Sequence, residues 1–119
     1  MISELAELES HGTAVVMRVR CPELTHTQMR ELAGECLERL RFHNAYHFVF
    51  DLTAVQFLAS ACIGSLVELL RELEPMRGRI VLVGCQDTVA FMFKVTRLDT
   101  IFNLYDDVPE ALAALHHLD

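Results

Sequence analysis

The chain has 119 residues, 52% of them hydrophobic, and a formal net charge of −7. This is the length of one domain, with ample apolar side chain for a core. The acidic balance argues against nucleic acid or an anionic membrane as a partner, since both call for a basic face, and it permits a basic protein partner.

No stretch approaches the roughly 20 apolar residues of a membrane span. The opening residues M-I-S-E-L-A-E-L-E are acidic and lack a signal-peptide pattern, so a cytoplasmic location is expected. Nothing like a linker, a repeat or a low-complexity tract divides residues 1–119, which are expected to form a single domain. Cys21, Cys36, Cys62 and Cys85 make no C-x-x-C pair and fit no zinc spacing. Reduced, mostly buried thiols are the expectation.

In chain order, residues 3–10 read either as a short strand, with Gly12 in the following turn, or as a frayed helix. Residues 13–19 (T-A-V-V-M-R-V) are rich in β-branched side chains and predict a strand. Thr25 then has Gln28 three residues on, the spacing of a capping box. Met29, Leu32, Ala33, Cys36, Leu37 and Leu40 follow as one apolar helical stripe, with Glu35 and Arg39 placed to pair on the wet face. The near-continuous apolar run at 46–52 suits a central strand covered on both faces.

A helix is predicted over 60–73, burying Ile63, Leu66, Val67, Leu70 and Leu73, and ending before Pro75 and Gly78. Residues 79–84 form a second buried strand, which makes a parallel βαβ unit with a right-handed crossover. A short helix is expected over 87–95 with Val89, Met92 and Phe93 inward, then a short strand or link at 100–104. Asp107 caps a last helix, with Pro109 in its first turn, Glu110 at the capping-box position, and Ala111, Leu112 and Leu115 docking it. The sum is an α/β domain with a mixed sheet of four or five strands covered by about four helices.

These residues resemble the STAS family, named for sulfate transporters and anti-sigma factor antagonists. Asp51-Leu52 followed by Phe57-Leu58-Ala59-Ser60-Ala61-Cys62-Ile63-Gly64 is similar to the family's D-L and F-I-D-S-S-G-L-G. The stretch from Gly78 to Gly84 resembles G-G-x-L-x-L-V-G, that from Arg97 to Phe102 resembles G-L-D-x-L-F, and Val108 to Leu112 resembles S-x-E-E-A-L. The resemblance implies a STAS-type domain that works by binding proteins and is not an enzyme. In the antagonist branch the first serine of D-S-S-G is phosphorylated by a partner that is both serine kinase and anti-sigma factor, and a serine phosphatase removes the phosphate. Carried over, the phospho-acceptor is Ser60, and Leu24, Thr25, Ala59, Ser60, Ala61 and Cys62 border the partner. This chain departs from the motif in having Ala59, Ala61 and Cys62 where the family has Asp, Ser and Gly, and Pro22-Glu23-Leu24-Thr25 where it has G-E-L-D. Those departures motivate an alternative: a STAS domain without phospho-switching, serving as a constitutive scaffold or small-ligand sensor. A homodimer through a sheet edge or helix face is left open.

On residue chemistry alone, Ser60 is a candidate helix cap as well as a candidate switch. Its frame L-A-S-A-C is not the G-x-S-x-G of a hydrolase elbow. Neither Cys62 nor Cys85 is followed by the Arg of a C-x5-R phosphate loop: the residues in that place are Glu68 and Phe91. Cys62 therefore reads as a packed small residue. His43 and His47 straddle a helix end and a strand start, and His116 and His117 point apart, so solvated histidines are expected and no metal site. Phe91, Phe93 and Phe102 read as core, and no nucleotide motif or cofactor is implied.

Overall fold

The computed structural model describes residues 4–116. Along the chain run β1 (Ala6–His11), β2 (Ala14–Val19), β3 (Glu23–Leu24), α1 (His26–His43), β4 (His47–Asp51), β5 (Phe57–Leu58), α2 (Ala61–Leu73), β6 (Arg79–Val83), α3 (Asp87–Val95), β7 (Leu104–Tyr105) and α4 (Val108–His116). Five strands form one mixed sheet in the order β1-β2-β4-β6-β7, and β3 and β5 form a separate two-stranded ribbon. Only β1 is antiparallel to its neighbour; β2, β4, β6 and β7 are parallel, as helical crossovers require.

The alternation of side chains along each strand sorts the core into two layers. Val15, Met17, Phe48, Phe50, Ile80 and Leu82 face α1, α2 and α3, whereas Val16, Val49, Val81 and Val83 face Ala111 and Leu115 of α4. Both faces of β4 and β6 are thus covered, which is why their sequences are continuously apolar.

The ambiguous segment at the start is a strand. Ala6 and Leu8 are buried, while Glu7 and Glu9 pair outward with Arg20 at 3.0 Å and Arg18 at 2.9 Å. Residue 3 lies outside the described residues. The capping box forms: Gln28 N–H donates to Thr25 Oγ1 at 3.2 Å, and Thr25 N–H donates to Gln28 Oε1 at 3.0 Å. Arg39, expected to pair with Glu35, instead sends Nη1 to Ser10 Oγ at 3.2 Å.

In α2 the fully buried positions are Cys62, Ser65, Leu66, Leu69 and Leu73. Ile63, Val67 and Leu70, expected inward, are half-buried at the margin of that stripe. The stripe runs through 62, 66, 69 and 73, so Leu69 is the core residue that the expected face omitted. Between α3 and β7 the chain makes a short 3-10 turn at Leu98–Thr100, and the strand begins only at Leu104.

His47 corrects the expectation of solvated histidines. It is 2% exposed, and its Nδ1 accepts from the N–H of Arg79 on the neighbouring strand at 3.1 Å. His117 lies outside the described residues. Phe91 corrects another: Phe93 and Phe102 are buried edge to face, but Phe91 is 64% exposed.

Gly78 ends the turn after α2 because the backbone leaves no room for a side chain there. A Cβ at 78 would lie 2.1 Å from Tyr46 O and 2.8 Å from Leu73 Cβ. Gly78→Ala is expected to lower unfolding free energy by about 1–3 kcal/mol in urea titration. A Cβ at Gly34, inside α1, meets nothing within 4 Å, so Gly34→Ala should raise stability by up to about 1 kcal/mol in the same assay.

Candidate functional site

The ribbon of β3 and β5 presents Ser60. Its register sets Leu24 beside Leu58 and Glu23 beside Phe57. The two leucines are 1% exposed and anchor the ribbon to the core, which leaves Glu23 and Phe57 on the outer side. Ala59 N–H then donates to the Leu24 carbonyl at 3.0 Å, and the Cys62 thiol reaches the same oxygen at 3.4 Å. Two contacts on one carbonyl hold the head of α2 against the loop that carries Thr25.

Ser60 does not cap α2 with its side chain. Its backbone is already helical, at φ −57° and ψ −32°, and its hydroxyl makes no cap hydrogen bond. A capping serine needs an extended backbone to swing its oxygen over the first free N–H groups. Here Cys62 N–H instead donates to Ala59 O at 2.9 Å, and Ile63 N–H to Ser60 O at 3.1 Å. The first turn satisfies these donors with its own carbonyls, and Ser60 is left exposed with an unengaged hydroxyl.

The residues expected around a partner separate by depth. Thr25, Ser60 and Ala61 are exposed, and Ala59 is half-buried. Leu24 and Cys62 are buried at 1% and 0% exposure, so they shape the face from beneath and offer it no surface.

The loop leading to the site is braced from α3. Asp51 accepts from Thr53 N–H at 3.0 Å and from Thr53 Oγ1 at 2.6 Å. Gln86 donates to Thr53 O at 3.0 Å, and Thr88 Oγ1 donates to Gln56 O at 3.1 Å. Gly84, at φ +67°, lets this happen, because a Cβ there would sit 2.2 Å from Thr53 Oγ1.

The thiols are arranged for packing. Burial pushes Cys62 above the usual thiol range, and it pushes Cys85 up to about 11. Neither is the low-pKa thiolate of a nucleophile. Among the described residues, no three His, Cys, Asp or Glu side chains come together as a metal site. Among them, too, no helix is long and apolar enough to cross a membrane.

The sequence profile of the STAS domain matches residues 6–111. The chain belongs to the STAS family. Its fold is shared by SpoIIAA, an anti-sigma factor antagonist seen in its unphosphorylated form, with 23% identity over 94% of this chain and 96% of that one and a TM-score of 0.79. SpoIIAA of Bacillus in its phosphorylated form matches at 21% identity over 96% and 99%, with a TM-score of 0.71. An anti-sigma factor antagonist from Mycobacterium paratuberculosis matches at 24% identity over 93% and 92%, with a TM-score of 0.76. The mixed five-stranded sheet and four helices are those of this STAS fold.

Sequence reasoning missed the exposure of Phe57 and Phe91. The signal was present for Phe91: it lies two residues from Val89, and two residues on a helix turn about 200°, away from the buried face.

Two serine and threonine positions should respond differently to removal of the hydroxyl. Thr25→Ala loses a capping bond and is expected to cost about 1 kcal/mol in urea unfolding. Ser60→Ala loses no such bond and should stay within about 0.5 kcal/mol of the unsubstituted protein. The pH dependence has a definite sign at Cys85. The unfolded thiol ionises near 9.0 while the folded one keeps its proton to about 11, so its contribution is intact below pH 9 and is lost as pH rises toward 11. Urea midpoints measured across that window should fall, and Cys85→Ser should flatten the fall.

Proposed function

We propose that this chain is a non-enzymatic regulatory module of the anti-sigma factor antagonist kind, acting in the bacterial cytoplasm. It binds a serine-kinase anti-sigma factor through the Ser60 face and is released when Ser60 is phosphorylated. A serine phosphatase returns it to the binding state. The observation that carries the reading is the exposed Ser60, whose hydroxyl makes no cap bond at the head of a helix held in place by Leu24. That hydroxyl is free to enter a kinase site without unfolding anything. Support from relatives is of fold and kind: SpoIIAA is an anti-sigma factor antagonist with unphosphorylated and phosphorylated forms.

The physics of the modified state agrees with a switch at an interface. A phosphate adds roughly −1.5 to −2 charges. At an exposed helix N-terminus the dipole favours an anion by about 0.3–1 kcal/mol, so the fold tolerates it. A partner packed on Ala61 and Thr25 would meet new charge and bulk at its centre. Binding changes while this domain keeps its shape.

A second reading is favoured by Ala59 and Ala61, which stand where the family motif has Asp and Ser. In that reading the face binds constitutively, as a scaffold or ligand sensor, and Ser60 is silent. Intact-mass spectrometry of the protein from its native cells separates the two. A phosphate-sized shift that maps to Ser60 and disappears with a serine phosphatase is expected. No shift across growth and stress conditions would establish the silent form instead. Ser60→Asp is expected to weaken partner binding at least about tenfold, the effect of charge placed in a packed interface; undiminished binding by Ser60→Asp would overturn the switch.

A further inference from the structure

α1 and α2 run side by side in the same sense, because each returns the chain between parallel strands. They pack against one another without closing completely. Between them lies a groove of about 230 Å³, lined on α1 by Arg30, Gly34 and Leu37 and on α2 by Ser65, Glu68 and Leu69.

Two features of the groove have no task in the fold. Gly34 is interior to α1, where glycine is the costliest residue after proline. A Cβ there meets nothing within 4 Å, so no close packing inside the chain calls for it. Bare backbone of this kind is used where a ligand comes close to the main chain. Ser65 is 7% exposed, and its hydroxyl has no hydrogen-bond partner among the described residues. A buried hydroxyl is ordinarily partnered. Among the described residues no sealed side-chain oxygen or nitrogen is left unpaired, so the Ser65 oxygen keeps an opening, and the groove it lines is that opening.

Charge selects the occupant. Arg30 stands on the α1 wall, and Glu68 and Glu72 stand on the α2 wall. Among the described residues these three make no ion pair with one another or with any other group. The remaining Glu and Arg of the two helices (Glu31, Glu35, Glu38, Arg39, Arg41 and Arg71) line no part of the groove. A guanidinium therefore faces carboxylates across an apolar floor of Leu37 and Leu69. A simple anion answers one wall and is repelled by the other, and so is a simple cation. A molecule that carries both charges answers both walls. The volume lies below the roughly 300–1,000 Å³ that hold drug-sized ligands, which suits a molecule of amino-acid size.

We propose that the α1–α2 groove binds a small zwitterion of the amino-acid class with an apolar side chain. Its carboxylate meets Arg30, its ammonium meets Glu68 and Glu72, Ser65 Oγ takes a hydrogen bond, and the side chain rests on Leu37 and Leu69. The site goes beyond the antagonist reading and does not need Ser60 to be modified.

NMR titration of the isotope-labelled chain tests the site, with L-leucine and L-phenylalanine as probes. Saturable shifts are expected at the amides of Gly34, Ser65 and Leu69, with a Kd at or below about 1 mM for at least one of the two. Isocaproate lacks the ammonium and isoamylamine lacks the carboxylate; each is expected to bind at least about tenfold more weakly. Arg30→Gln and, separately, Glu68→Gln should each weaken the amino acid at least about tenfold. Gly34→Leu puts a side chain over the groove and should abolish the shifts without lowering the thermal midpoint. No saturable shift with either probe, or shifts centred elsewhere in the chain, overturns the site. Isocaproate or isoamylamine binding as tightly as leucine, or full affinity in both the Arg30 and the Glu68 variants, overturns the zwitterion. Phosphorylation of Ser60 is independent of all these outcomes.

Discussion

The carbonyl oxygen of Leu24 accepts from the Ala59 N–H and from the Cys62 thiol, and through these two contacts the β3–β5 ribbon and the head of α2 become one body. Leu24 and Leu58 sink into the core on the inner side of that ribbon, so the outer side has no choice of direction. Glu23, Phe57, Thr25 and Ser60 are therefore presented by a mount that is tied to the core. The sheet contributes by fixing where β4 ends, and Asp51, Thr53 and Gln86 join that end to α3. A site built in this way differs from one carried on a free loop: its geometry is set before any partner arrives, which limits the ordering cost of binding.

Much of this was legible in the residues. The capping box at Thr25 and Gln28, the apolar runs of β4 and β6, and the stripe on α1 specify their elements because local chemistry and tertiary burial agree there. Other features were hidden for physical reasons. His47 looks like a surface histidine in sequence, but its ring nitrogen serves a main-chain N–H on a strand 32 residues away, a pairing that no local pattern encodes. Ser60 has the composition of a cap and the position of one, but the first turn of α2 tightens onto its own carbonyls and leaves the hydroxyl without that task. Leu69 lies inside the core and Leu70 at its margin, because the buried stripe of α2 runs through 62, 66, 69 and 73.

The cysteines show how one residue type divides between roles. Cys62 serves as a joint, small enough for the crowded head of α2 and able to direct a weak donor at a carbonyl. Cys36 packs against Met17, and desolvation keeps its thiol well above the usual range. Cys85 lies beside the Gly84 turn, raised by the same cause. These thiols do not need chemistry to be explained, because each occupies a place where a small, polarisable side chain fits.

The free hydroxyl of Ser60 also has a meaning on the scale of lineages. Residues in a core are held in place by folding, and folding selects for them in every descendant whatever the protein is used for. Residue 60 carries no such obligation, since the helix starts without its help. Under the proposed switch, selection at this position would answer to the partner alone. A lineage that keeps its kinase has reason to keep a serine there, and one that loses the kinase can let the position drift without harm to the fold. The identity of residue 60 across descendants would then be a record of which of them still have someone to talk to.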